Sequence, residues 1–103
     1  MENFLKTTYT INDETRVKIL FFIYINKEVC VCDVENSFEM IQSRVSRHLK
    51  ILKEGGFLNV ERRGKWAFYS IKELDIFRTA ILDEIKLLKI EIPDIIHACE
   101  VYR

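Results

Sequence analysis

Two cysteines one residue apart, Cys30-Val31-Cys32, followed at once by Asp33, are the residues of this chain best suited to chemistry. Thiolates are soft donors, so a pair of them favours thiophilic ions over magnesium or calcium. Residues two apart in an extended segment point to one side, whereas on a helix they diverge by about 200°. The pair therefore chelates only where the chain is extended or where the first turn of a following helix unwinds. The bland alternative is two small, buried apolar side chains. Three cysteines make no even disulfide framework, and two so close in sequence make an uncomfortable bridge, so reduced thiols are expected.

The second set is cationic. Net charge is zero, yet the segment from Gln42 to Lys65 holds seven basic residues against two acids. Such a block in a neutral chain predicts a face for a polyanion. At 100° per residue, Val45, His48, Leu49 and Leu52 share one side of a helix over about 42–54, and Ser43, Arg47 and Lys50 lie opposite, flanked by Arg44 and Ser46. His48 reads as a packed histidine that at most bonds a phosphate from the helix edge. Phe57 to Ile71 reads as a hairpin around Gly64, with Arg62, Arg63 and Lys65 at its tip and Trp66 in its core.

These residues need a scaffold. With 103 residues, 49% of them apolar, 3 Gly and 1 Pro, the chain is expected to form one mostly helical domain over 1–103 with a small β-hairpin. Helices are expected at about 2–10, 14–25, 33–38, 42–54, 72–90 and 93–101, with the hairpin at 57–71. Asp13 is the expected cap of the second helix, and Gly55-Gly56 the stop of the fourth. The stripe Leu74, Phe77, Ile81, Ile85 and Leu88, widened by Ile76, Ala80 and Leu87, is broad enough to call for a second subunit. The longest apolar run, Ile19 to Ile25, is too short to span a bilayer, and Met1-Glu-Asn-Phe does not open a secretory leader, so a cytoplasmic protein without a membrane partner is expected. Asp83-Glu84 reads as a solvated face, and phosphate loops, zinc-protease helices and serine elbows are missing, so no enzyme is expected.

A short helix, a longer helix with a cationic outer face and a hairpin with a cationic tip make the layout of a winged helix-turn-helix. In that fold the longer helix enters the DNA major groove and the wing follows the backbone or minor groove. Gln42, Ser43, Arg44, Ser46, Arg47, His48, Lys50, Arg62, Arg63 and Lys65 are the candidate DNA contacts, against the alternative of an ordinary solvated basic face.

Thr10 to Leu20, Glu28-Val-Cys-Val-Cys-Asp-Val34, Val45-Ser-Arg-His-Leu-Lys-Ile-Leu-Lys-Glu-Gly-Gly-Phe57 and Arg62-Arg-Gly-Lys-Trp-Ala-Phe-Tyr69 together resemble the successive signatures of the ArsR/SmtB family of metal- and metalloid-sensing repressors. The resemblance covers about residues 4–88. It implies a homodimer, joined through its first and last long helices, that holds operator DNA at an imperfect inverted repeat and leaves it when an inducer binds. The cysteine pair resembles the subgroup that senses arsenite or antimonite, As(III) or Sb(III). Cadmium, lead or a thiol redox switch are the rivals.

The chain departs from that pattern in three places. Glu35 stands where a third cysteine is frequent. Ile41 stands where a serine opens the recognition helix, with Glu39 at a position that usually takes a small turn residue. Phe77 follows Asp75 where a zinc-type site has histidine, which argues against zinc or nickel. Trivalent arsenic takes three ligands, so beside Cys30 and Cys32 the third falls to Glu35, to a thiol from solution or to Cys99, the optional ligand of this set.

Overall fold

Asp13 and Asp75 set the two ends of the helical frame. Each is extended, and each carboxylate accepts the backbone N–H three residues on, Arg16 at 3.0 Å and Arg78 at 2.9 Å, satisfying donors that a first helical turn leaves free. The computed structural model describes residues 1–97. In chain order the elements are α1 (Glu2–Ile11), α2 (Glu14–Asn26), β1 (Glu28–Cys30), α3 (Val31–Phe38), α4 (Gln42–Glu54), β2 (Leu58–Arg63), β3 (Trp66–Ile71) and α5 (Ile76–Leu87). The expected fold, mostly helical with a small hairpin in a winged helix-turn-helix, is the observed one, with one addition. The hairpin gains a third strand: β1 pairs antiparallel with β3, placing Cys30 opposite Phe68, in a sheet of order β1-β3-β2.

α2 is the central post. Ile19, Leu20, Phe22 and Ile23 are all fully buried, and Val34 of α3, Val45, Leu49 and Leu52 of α4, and Leu82 and Ile85 of α5 close around them. The ring of Phe38 meets Phe22 edge-on at 5.0 Å, which fixes α3 against the post. Burying an aliphatic or aromatic side chain of this size contributes about 1.5–3 kcal/mol, so α4 is held from behind by its own apolar face. α4 ends where expected. Gly56 has φ +88°, and a Cβ there would stand 2.7 Å from Arg78 Nε, so a side chain would meet both backbone strain and a buried guanidinium.

Several boundaries differ from the expectation. α3 starts at Val31, two residues early. The helix expected over 72–90 spans only Ile76–Leu87: Lys72 N–H donates to Phe57 O at 2.9 Å, continuing the sheet-side pairing, and Asp75 caps the shortened helix. Lys89 takes φ +54° just beyond its end. The helix expected over 93–101 is not formed by 93–97, and 98–101 lie outside the described residues. Residues 90–97 instead run back along the molecule: Ile90, Ile92 and Ile95 pack on the core, and Ile96 N–H donates to Ser37 Oγ of α3 at 2.8 Å. Packing and this bond satisfy the segment without a helical ladder.

Candidate metal centre and nucleic-acid interface

The cysteine pair straddles a change of secondary structure. Cys30 ends β1 and is also the N-cap of α3, with extended backbone (φ −102°, ψ 169°), and Cys32 is the second residue of the helix. The turn from strand to helix brings the two sulfurs into contact at 2.6 Å. The expectation of two separate reduced thiols is therefore corrected: the pair is a couple, its sulfurs convergent without unwinding of α3. Asp33 holds the junction. It is fully buried, and its carboxylate accepts the Cys30 N–H at 2.9 Å, a backward cap on a helix start that lacks the usual serine or aspartate.

One ligating atom each from Cys30, Cys32 and Asp33 lie within 4.8 Å of one another. Glu35 does not join this group; it lines the adjoining groove instead. Cys99 lies outside the described residues. Behind the couple, Phe68 is buried with Cys30, and Cys32 and Trp66 pack against them. Trp66 thus belongs to the wing's core, as read from the sequence.

That groove, about 560 Å³ in volume, joins the couple to the cationic surface. Its α4 wall is the stripe Gln42, Ser46, Lys50 and Lys53, at helical spacings of four, four and three, and Arg62 and Lys65 of the wing face it. Ser43, Arg44 and Arg47 are exposed outside the groove. The outer face of α4 therefore has two stripes, one open to solvent and one shared with the cysteines. Ile41 opens α4 without any side-chain cap; backbone bonds from Arg44 and Val45 N–H to Ile41 O, and from Met40 N–H to Glu35 O, replace it.

Two of the proposed DNA contacts are engaged inside the protein. Arg63 donates from Nη1 to Glu28 at 2.8 Å, from Nη2 to the other Glu28 oxygen, and from Nε to Glu61 at 2.9 Å, with its guanidinium 4.5 Å from the Phe68 ring centre. Glu28 and then Glu61 raise the pKa of Arg63, and Arg63 lowers that of Glu61. Arg63 clamps β1 to the wing, with a carboxylate oxygen at each of its three donor nitrogens. His48 is 6% exposed, its Nδ1 3.5 Å from Arg16 Nη1. Burial pushes its pKa below the ordinary imidazole value, Asp13 pulls the other way, and Arg16, Arg47 and Arg44 add to the lowering.

The reading of the sequence missed two buried arginines. Arg16 donates to Thr10 O at 2.7 Å and Tyr9 O at 3.1 Å, tying the end of α1 to α2. Arg78 donates to Gly55 O at 2.8 Å, Asn3 Oδ1 and Thr7 Oγ1 at 3.0 Å, and Asp75 at 2.6 Å, joining α1, α5 and the end of α4. Both follow a capping aspartate by three residues, a spacing visible in the sequence. For Asp13, burial would raise the pKa, but the Arg16 backbone N–H and guanidinium outweigh it and the net shift is downward.

Residues 13–60 match the family described as bacterial regulatory protein, arsR family. The cadmium resistance transcriptional regulatory protein CadC homolog of Staphylococcus aureus is 37% identical over 68 residues, covering 66% of this chain and 56% of that protein. The arsenical resistance operon repressor of Escherichia coli (strain K12) is 36% identical over 73 residues, covering 70% and 62%. The matches thus span little more than half the length of these relatives. The homodimeric winged helix-turn-helix DNA-binding domain Mb0332 of Mycobacterium bovis, a possible ArsR-family regulator, superposes with a TM-score of 0.72 over 87% of this chain and 83% of that one at 22% identity, a likeness of fold. With four ordered sequence signatures, a winged helix and these relatives in agreement, the chain belongs to the ArsR family of bacterial transcriptional regulators.

Proposed function

We propose that this chain is a homodimeric, cytoplasmic repressor that grips operator DNA with α4 and the β2–β3 wing and lets go when Cys30 and Cys32 capture As(III) or Sb(III). The observation that carries the reading is the shared groove: the convergent sulfurs open into a space whose opposite wall is the Gln42, Ser46 and Lys50 stripe of the recognition helix. A soft ion held between an N-cap sulfur and a second-position sulfur would pull on the first turn of α3. Met40 N–H bonds back to Glu35 O, and Ile41 opens α4, so the strain has a short path into the recognition helix. A coupling of about 1–3 kcal/mol per site is the usual scale of such linkage, and two sites in a dimer would double it.

Ser43, Arg44 and Arg47 supply base-edge and phosphate donors on the open stripe, with Lys50, Arg62 and Lys65 along the groove. Relatives named for arsenical resistance support the arsenic reading. A second reading, a cadmium or lead sensor, is favoured by the relatives named for cadmium resistance, and a thiol redox switch by the contact of the two sulfurs. Fluorescence anisotropy of a labelled inverted-repeat operator, titrated with arsenite, cadmium, lead and peroxide in turn, tests all three. Release at the lowest concentration by arsenite supports the first reading; release only by peroxide, or by none, overturns it.

A further inference from the structure

The groove beside the cysteine couple is far larger than an ion needs. At about 560 Å³ it falls within the roughly 300–1,000 Å³ of small-molecule sites. Its charged walls are four cations, Lys50, Lys53, Arg62 and Lys65, against Glu35 and Glu54. None of the four cations makes an ion pair among the described residues. The coordination at the sulfurs is incomplete as well. Besides the two cysteines, the described residues bring only Asp33 within 4.8 Å, and that carboxylate is fully buried and committed to the Cys30 N–H. It is also a hard donor, ill matched to a soft trivalent ion.

We infer that the groove is a subsite for a low-molecular-weight thiol bearing carboxylates, which supplies the third sulfur while its anionic groups lie against Lys50, Lys53, Arg62 and Lys65. The inference rests on the arsenite reading above and names the form in which the ion is held. Arsenous acid exchanges its three As–OH bonds for As–S bonds to Cys30, Cys32 and the small thiol. The three thiol protons leave with the hydroxides as water, and arsenic stays trivalent. Where the cysteines are joined, two further equivalents of the same thiol reduce them and leave as its disulfide. Because Lys50, Arg62 and Lys65 are also the proposed phosphate contacts, the carboxylates of the bound thiol would occupy charge that DNA needs. Inducer and operator then compete for the same cations, in addition to any strain passed through α3.

The test uses the full chain and its one tryptophan, Trp66, which lines the groove and reports arsenite binding by its fluorescence. Titrations run at equal concentrations of mercaptosuccinate, a dicarboxylate thiol, or 2-mercaptoethanol, a neutral one. Arsenite is expected to bind about tenfold tighter with mercaptosuccinate, and K53Q/K65Q should erase that preference. Equal affinities in the two thiols overturn the subsite and leave the sensor reading standing, as does a preference that survives K53Q/K65Q. Absence of arsenite binding in either thiol overturns the sensor reading, and the subsite with it.

Discussion

Arg47, Lys50 and Arg63 bear the same charge in the sequence and differ in what the fold does with it. Arg47 and Lys50 are exposed on α4, whereas Arg63 is held by Glu28, 35 positions away, and by Glu61. A cation already facing two carboxylates releases few counterions when DNA arrives. Lys50→Ala should therefore lower the slope of log affinity against log salt by about one, and Arg63→Ala by well under half of that; operator affinities measured across a salt series check both. Arg47→Ala should cost about 1–3 kcal/mol on the operator and little on unrelated DNA if it reads a base edge. At the couple, Cys30→Ser and Cys32→Ser should each keep operator binding yet abolish release by arsenite, since one sulfur cannot chelate; release at wild-type arsenite concentrations would make the pair structural. The spacing of the cysteines and the charge of the arginines were legible in the sequence. Which cation is neutralised was not, because that depends on a contact between β1 and the wing that no local pattern records.

Helical periodicity carries over many residues, and the elements it governs were the readable ones: α4 has the expected bounds, with Val45, His48, Leu49 and Leu52 all buried on its inner face. β1 went unseen because three residues are too few for an alternation, and only pairing with β3 defines them. Arg78 went unseen because its partners Asn3 and Thr7 lie 75 and 71 positions away. Its loss would strand Gly55 O at the end of α4. Arg78→Ala should accordingly destabilise the fold by about 3 kcal/mol, and Arg78→Lys should recover little, since an ammonium cannot reach four acceptors on three elements; thermal unfolding measures both.

His48 adds a pH dependence to α4. Its native pKa is depressed, by burial first, so between that value and about 6.5 the unfolded chain binds the extra proton. Stability is then complete above pH 6.5 and is lost as pH falls through the native value. Denaturant midpoints for His48→Gln should flatten across that window, and an unchanged profile would place the titration elsewhere. Asp13, also lowered, adds a further loss only below its ordinary carboxylate range.

At the scale of the molecule, most of the large apolar side chains left exposed lie on or at the ends of the two helices the resemblance assigns to dimerisation, with Ile25, Ile41 and Ile96 elsewhere. Phe4, Leu5 and Tyr9 of α1 are each more than half exposed, and Ile76, Leu87 and Leu88 of α5 and its end are 91%, 72% and 59% exposed. Phe4 stacks on Phe77 at 5.5 Å, so the two helices form one surface. The broad stripe read on α5 is thus divided: Leu74, Ile81 and Ile85 pack on the core together with Leu82, and Ile76, Ala80, Leu87 and Leu88 are exposed. A second copy would bury that surface and set two recognition helices about 34 Å apart on successive turns of DNA. Ile76→Glu with Leu87→Glu places like charges across a two-fold contact and spares the core. The variant should sediment as a monomer and fold normally by circular dichroism. Its affinity for the full inverted repeat should fall by about 10²-fold or more, because each half-site is then bound alone. Affinity for an isolated half-site should be unchanged. A wild-type chain that sediments as a monomer at micromolar concentration, or a monomeric variant that still holds the full operator at wild-type affinity, would remove dimerisation from the mechanism.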